Sequence, residues 1–216
     1  MDYAAARQHM IDSQIRTSKV TDQSVIAALA AVPRELFVDE AHRKLAYIDR
    51  SVPVGAGRRM MEPMVLARLL QAAQLRIGDS ALVVAAGTGY AAAVLSHLVK
   101  RVIALDSTPE LVQRARVALG GLPISNVTVT EGDPAAGRPS DGPFDFILID
   151  GAVEIVPDAL TKQLADKGRL AVVMNDEGVS RGTLLLRADG VVSRRALFDA
   201  DADLLPAFKR PQRFVF

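Results

Sequence analysis

The stretch that most constrains the fold of this chain lies between residues 80 and 106. It contains an apolar run, a small-residue turn around Gly87 and Gly89, a helical segment through Val99 and a second apolar run that ends in Asp106. A strand, a glycine turn, a helix and a strand ending in an acid are the usual means of holding a nucleoside cofactor on a parallel sheet. The sequence therefore predicts a nucleoside site at this turn.

A helical region precedes this stretch. Residues 2–18 have amphipathic spacing, Asp22 can cap a helix that stops at Pro33, a short helical piece covers 39–45, and Pro63 opens a largely buried helix. Residues 46–57 are rich in proline and glycine, which favours loops and edge strand. The one candidate boundary is near Gly78, so we expect residues 1–78 to form an N-terminal extension and residues 79–216 the cofactor domain, together one compact unit.

Strands and helices alternate after Ser80, which predicts an α/β fold with a doubly wound, mostly parallel, Rossmann-like sheet. Flanking the turn at Asp189-Gly190, two apolar runs predict an antiparallel C-terminal hairpin. The predicted elements are strand Ala81–Ala85, helix Tyr90–Val99, strand Arg101–Leu105, helix Pro109–Leu119, strands Val127–Thr130 and Phe144–Ile149, helix Val156–Ala165, strand Arg169–Val173, the hairpin Thr183–Arg187 with Val191–Leu197, and a last strand Arg213–Phe216.

Composition excludes several classes of function. The 26 basic side chains balance 25 acidic ones, so we expect no nucleic-acid partner. Without cysteine, and with three histidines far apart, the chain is not expected to hold a metal. There is no apolar run of membrane-spanning length and no secretory signal at the start, so we expect a cytoplasmic protein with no membrane partner. Composition does not indicate the oligomeric state.

The glycine turn alone leaves the cofactor class open. Gly87-Thr88-Gly89-Tyr90-Ala91-Ala92 fits the G-x-G-x-x-A fingerprint of NAD-binding domains, and Asp106 follows Gly87 by 19 residues, where an acid can bind ribose hydroxyls. An NAD-dependent oxidoreductase is one interpretation, although no proton donor is evident. A tight strand-to-helix turn that binds nothing is another.

Several blocks in one order give a more specific indication, and over most of its length the chain resembles the protein-L-isoaspartate O-methyltransferases. The resemblance implies an α/β methyltransferase fold, S-adenosylmethionine as cofactor, and a protein or peptide carboxylate as substrate. The blocks are Pro33-Arg34-Glu35-Leu36-Phe37-Val38, Ala46-Tyr47-Ile48-Asp49-Arg50, the loop Pro53–Pro63, Gly87 through Leu95, Gly132-Asp133, Phe144-Asp145 and Lys167-Gly168-Arg169-Leu170.

The resemblance also implies roles for individual positions. The turn would wrap the methionine part of the cofactor, Asp106 would hold the ribose, Asp133 would lie near the adenine, and the loop 57–62 would cover the substrate. The implied cofactor-binding residues are Ala85, Ala86, Gly87, Thr88, Gly89, Asp106, Ser107 and Asp133, and the implied substrate-binding residues are Arg59, Met60, Met61 and Glu62. No catalytic residue is assigned, because a carboxylate acceptor is already ionised at neutral pH and needs no general base.

The chain departs from the family pattern E-x-G-x-G-x-G, which here begins at Val83 and has Ala85 at its first glycine. Met61 stands where the family has the serine linked to activity. Loss of a charge-assisted hydrogen bond costs about 1.5–3 kcal/mol, so the cofactor is expected to bind more weakly.

In place of the missing serine, Arg58 or Arg59 could bind the substrate carboxylate, although a solvated loop arginine is the simpler interpretation. An inactive protein that keeps the fold and acts by binding or assembly is the alternative.

Overall fold

A computed structural model describes residues 1–210; the predicted strand Arg213–Phe216 lies outside them. The described residues form a seven-stranded sheet. Its strands are β3 (Ser80–Val84), β4 (Arg101–Asp106), β5 (Val127–Glu131), β6 (Phe144–Val153), β7 (Leu164–Asp176), β8 (Val179–Ala188) and β9 (Val191–Asp199). They lie in the order β5-β4-β3-β6-β7-β8-β9. The five strands β3 to β7 are parallel, whereas β8 and β9 extend one edge antiparallel.

The helices lie where the sequence predicts them, with local exceptions. Asp22 caps α2 by accepting from the backbone N–H groups of Ser24 and Val25, and Pro63 is the first residue of α3. The α-helices are α1 (Tyr3–Met10), α2 (Gln23–Ala31), α3 (Pro63–Ala73), α4 (Tyr90–Ser96), α5 (Pro109–Gly120) and α6 (Asp158–Lys162). The predicted helix over 2–18 continues beyond α1 as a π-helical turn, Ile11–Ile15, and a 3₁₀ turn, Arg16–Ser18.

The largest differences from the predicted elements surround β7. The predicted helix Val156–Ala165 is shortened to α6, and β7 begins at Leu164 rather than at Arg169. At the start of β7, Leu164 pairs with Phe144 of β6, and from Arg169 to Asp176 the strand pairs with β8, which follows after two residues. These pairings with neighbouring strands, rather than local propensity, set the length of β7.

A small hairpin stands apart from the main sheet. Its strands are β1 (Val52–Gly55) and β2 (Arg58–Met60), and Gly55 pairs with Arg58 across the two-residue turn Ala56-Gly57. Both turn residues have positive φ, at 50° and 69°, as the type I′ turn favoured in tight hairpins requires. The predicted loop is thus a defined hairpin, and its turn fixes which side chains of β2 face inward.

One apolar core joins the N-terminal helices to the sheet. It contains Ile15 and Leu29 from the helical extension together with Leu69, Val94 and Val102. A second cluster fills the other face of the sheet around Leu82, Ile147 and Phe208. The division at residue 78 and the single compact unit both stay predictions.

Candidate active site

Three neighbouring parallel strands bring their carboxyl ends together at one edge of the sheet. Asp106 is the last residue of β4, Asp150 lies near the end of β6, and Ala85 follows β3. Both acids are at least nine-tenths buried. In open α/β sheets, ligands bind outside the carboxyl ends of the strands, so this edge is the candidate active site.

The glycine turn is organised by Asp106. One oxygen of its carboxylate accepts from the backbone N–H of Gly87 at 2.8 Å, and the other accepts from the N–H of Thr108 at 2.9 Å. Gly87 has a φ of 56°, and a Cβ added at this residue would meet no heavy atom within 4 Å. A ligand can therefore approach the backbone closely at Gly87.

Other residues of the turn serve the scaffold. A Cβ on Gly89 would lie 3.1 Å from Leu119 and 3.3 Å from Ala115, so this glycine lets α5 pack closely against the start of α4. The Thr88 hydroxyl is buried and donates to the Phe37 carbonyl at 2.7 Å. Ala85 has a φ of 56°, a left-handed conformation that costs a non-glycine residue about 1–2 kcal/mol.

The remaining predicted cofactor residues lie close to the same edge. Ala86 is buried, and its N–H donates to the Leu105 carbonyl at 3.0 Å. Ser107 is exposed directly after Asp106, and Asp133 is exposed beyond β5, where its carboxylate accepts from the N–H of Ala135 at 2.9 Å. Asp133 thus stabilises its own loop while it remains accessible.

Arg58 does not behave as a solvated loop arginine. From β2 its side chain reaches into the sheet edge and is only 16% exposed. One terminal nitrogen donates to the Ala85 carbonyl at 2.8 Å and lies 3.4 Å from the Asp150 carbonyl, and the other lies 3.4 Å from the Asp106 carboxylate. The guanidinium therefore bridges the ends of β3, β4 and β6.

Asp150 is a buried acid that the sequence patterns did not single out. Its pKa is raised to about 6: burial is the main cause, the charges of Arg58 and Arg34 oppose the rise, and the charge of Asp106 adds to it. Within residues 1–210, its carboxylate lies in no ion pair with an arginine or lysine nitrogen within 4 Å. A buried acid with a strongly shifted pKa beside a cofactor turn is a functional candidate.

Arg34 lies behind the site, where it contacts several segments of the chain. Its side chain is fully buried and donates to the carbonyls of Ala46 at 2.7 Å and Met61 at 2.6 Å. The guanidinium carbon stands 4.6 Å from the centre of the Tyr90 ring. Within residues 1–210, neither its Nη1 nor the Tyr90 hydroxyl has a hydrogen-bond partner.

The predicted substrate-binding residues are brought to this region, but they face different ways. Met60 and Met61 are buried, whereas Arg59 is exposed and holds Ser51 through a 2.6 Å hydrogen bond to its carbonyl. Glu62 is half-buried, and burial, together with Asp49 and Asp201, raises its pKa. Arg59 and Met61 line one small cavity together with Asp150, and Arg59 and Met60 line a second one with it.

Sequence patterns offered a signal for one of the two missed residues. Asp150 follows an apolar run, and an acid at the end of an apolar run is the pattern that singled out Asp106 at the end of β4. Arg34 had no such signal, because a charged residue beside Pro33 is usually exposed.

A cavity of about 630 Å³ opens at the opposite edge of the sheet, near the starts of β3 and β7. Its Arg169 and Asp79 side chains pair at 2.7 Å.

In residues 1–210, no group of three or more histidine, acidic or cysteine side chains could hold a metal ion. No helix in this part of the chain is long and apolar enough to cross a membrane.

Comparison with known proteins decides the family. The sequence model described as protein-L-isoaspartate(D-aspartate) O-methyltransferase matches residues 5–196. The chain belongs to this family. A Roseiflexus protein named protein-L-isoaspartate O-methyltransferase is 40% identical over 187 residues, covering 87% of this chain and 84% of the relative. A Koribacter versatilis protein of the same name is 36% identical over 197 residues, covering 91% and 89%.

Solved structures show the same fold. One protein-L-isoaspartate O-methyltransferase superposes with a TM-score of 0.82 at 22% identity, covering 92% of this chain and 65% of that one. A Plasmodium falciparum structure of this class, in complex with S-adenosyl-L-homocysteine, gives 0.78 at 19% identity and covers 93% and 98%. The predicted family and α/β methyltransferase fold are confirmed.

Family membership also decides between the cofactor classes that the glycine turn left open, because S-adenosylmethionine is the methyl donor of this family. The residues of this chain fit that cofactor in part. Asp106 and the open face of Gly87 offer acceptors and a close backbone approach. The space beside them, however, holds the Arg58 side chain.

Proposed function

We propose that this chain is an S-adenosylmethionine-dependent carboxyl O-methyltransferase that acts on isoaspartyl residues of proteins. The observation that supports the proposal best is the family match over residues 5–196, which spans the hairpin, the glycine turn, Asp106 and Asp150. When bound, S-adenosylmethionine supplies an electrophilic methyl group.

In this proposal Asp106 receives the ribose hydroxyls, and the turn from Ala85 to Gly89 lies along the methionine part. Ser107 and Asp133 line the adenosine side, where both are exposed beside the turn. Asp106 is already fixed by two backbone N–H groups, so it is held ready without reorganisation.

The remaining task of the protein is to position a carboxylate and exclude water. Aspartyl carboxyl groups are ionised at neutral pH, so the acceptor oxygen needs no base, and alignment with the methyl group supplies the rate. The buried side chains of Met60 and Met61 cover this part of the edge with apolar surface. Arg59 and Glu62 lie at the rim, where a peptide can reach them.

A second candidate is an inactive protein of the same fold that acts by binding. Met61, which cannot donate a hydrogen bond to a carboxylate, favours it, and so does the position of Arg58 in the cofactor space. The curated relatives, by contrast, are named as enzymes.

The test is transfer of labelled methyl from S-adenosylmethionine to an isoaspartyl peptide, with the same peptide carrying ordinary aspartate as control. We expect methyl ester on the isoaspartyl peptide alone, and a strong loss with Asp106→Ala. If the folded protein forms no ester while an active relative does so under the same conditions, the inactive binding protein is the better account.

A further inference from the structure

Arg58 fills the space that a nucleoside cofactor would need. Two cavities flank its side chain, one beside Gly87 and Tyr90 and the other beside Met61 and Leu205, and Asp150 lines both. Each measures about 10 Å³, which is room for about one water molecule. Sites for cofactor-sized ligands occupy about 300–1,000 Å³. S-adenosylmethionine can therefore enter this edge only if the Arg58 side chain leaves it.

The contacts of Arg58 use groups that face the ligand space. Its guanidinium donates a hydrogen bond to the Ala85 carbonyl at 2.8 Å and lies 3.4 Å from the Asp106 carboxylate. Asp106 is the residue that would otherwise bind ribose. Arg58 and the cofactor thus compete for the same acceptors as well as for the same volume.

The hairpin gives Arg58 a short route outward. It is the first residue of β2 and directly follows the exposed turn Ala56-Gly57. The hairpin itself is anchored elsewhere, because the Arg114 guanidinium of α5 donates to the Val54 carbonyl. The Arg58 side chain can therefore withdraw while the hairpin stays attached to α5.

Removal of Arg58 leaves a charge to be compensated. The buried charges at this edge are the acids Asp106 and Asp150 and the cations Arg58 and Arg34. Arg34 is fixed by two backbone carbonyls and stays. Once Arg58 withdraws, Asp150 is a buried carboxylate with one compensating cation fewer, which is costly unless another positive group replaces it.

S-adenosylmethionine brings such a positive charge, whereas S-adenosyl-L-homocysteine lacks the sulfonium. We propose that Arg58 is an internal competitor for the cofactor, and that Asp150 receives the cationic end of S-adenosylmethionine when Arg58 is displaced. The exchange replaces one cation by another. This inference rests on the proposed function, because it takes S-adenosylmethionine as the ligand.

Titration calorimetry of the full chain with S-adenosylmethionine tests the competition. Arg58→Gln removes the charge, and Arg50→Gln, at an exposed position before the hairpin, is the matched control. We expect Arg58→Gln to lower the Kd at least about tenfold, the effect of losing one charge-assisted hydrogen bond, and Arg50→Gln to leave it within about twofold. Arg58→Ala provides a second variant if the glutamine variant does not fold, as judged by circular dichroism.

The role of Asp150 is tested in the Arg58→Gln background with both ligands. We expect Asp150→Asn to weaken S-adenosylmethionine binding about tenfold and to change S-adenosyl-L-homocysteine binding less, so that the preference for the sulfonium falls. Asp49→Asn, at an exposed position, is the control. A merely structural role of Asp150 would weaken both ligands equally and would overturn this part of the inference.

The outcomes separate this inference from the proposed function. If wild type and Arg58→Gln bind S-adenosylmethionine equally well, the competition is refuted and the proposed function stands. If no folded variant binds either ligand at millimolar concentration, the proposed function fails, and this inference fails with it.

Discussion

The buried carboxyl of Asp150 has a consequence for stability that does not depend on any ligand. Its pKa is about 6 in the folded chain, where burial is the main cause, against 3.8 for the ordinary side chain. Between these values the folded state holds a proton that the unfolded state has released. The free energy of unfolding therefore falls as the pH rises through the window from about 4 to 6.

The size of this effect follows from the shift. About two pKa units correspond to about 3 kcal/mol at 1.36 kcal/mol per unit. The variant Asp150→Asn has no such proton to lose, so at pH 7.5 it should be more stable than wild type. An asparagine amide buried without acceptors offsets part of the gain, so we expect about 1–3 kcal/mol.

The assay is urea unfolding followed by circular dichroism, since the chain has no tryptophan, at several pH values between 4 and 7.5. The difference in the free energy of unfolding between Asp150→Asn and wild type should be greatest at pH 7.5 and should shrink toward pH 4. The effects of the other titrating groups are the same in both proteins and cancel in this difference. Asp49→Asn, at an exposed position, should change stability by less than about 0.5 kcal/mol. A pH-independent difference, or a destabilised Asp150→Asn at pH 7.5, would refute the reasoning.

Four further substitutions test residues of the turn and of the surrounding site. Ala85→Gly should raise the free energy of unfolding by about 1 kcal/mol, because glycine adopts the left-handed φ of 56° without strain. Ala86→Gly is the control and should lower the free energy of unfolding by about 0.5–1 kcal/mol, because glycine makes the unfolded chain more flexible. Urea unfolding of both variants measures the two effects. Arg34→Met should cost about 2–4 kcal/mol in the same assay, because it leaves two buried carbonyls unpaired, and an unchanged midpoint would contradict this. Met61→Ser should increase the rate of labelled methyl transfer severalfold by restoring a hydroxyl donor; an equal or lower rate in the folded variant would speak against a role for this position.

The sequence predicted the sheet well because its strands carry their own signals. The apolar runs of β3 and β4, each followed by a turn or an acid, are local features, and the parallel order follows from the alternation with helices. The length of β7 was not predictable in this way, since its start pairs with β6 and its remainder pairs with β8. The same limit applies to α6, whose predicted C-terminal part is taken up by the start of β7.

The site was predictable where a residue's place follows from the end of a strand. Asp106 was found by this rule, and Asp150 obeys the same rule on β6. The direction of Arg58 could not be predicted, because it depends on the two-residue turn that sets the register of the β1–β2 hairpin. A long flexible side chain near a glycine-rich loop gives no sequence signal of whether it turns toward solvent or toward the sheet.

The position of Asp150 also affects how the absence of an acidic residue at position 83, which is Val83 here, is interpreted. Val83 pairs with Leu148 across β3 and β6, so Asp150 lies two residues further along the neighbouring strand, at the ligand edge. Asp150 lines a cavity together with Ala86 and Tyr90, which belong to the same core cluster as Val83, so it lies on the Val83 side of the sheet. The chain therefore has a buried carboxylate on this face of the candidate site, one strand away from Val83. The absence of an acid at Val83 therefore does not by itself predict weak binding of S-adenosylmethionine. The affinity of the site for this cofactor is best measured in a variant that lacks the Arg58 side chain.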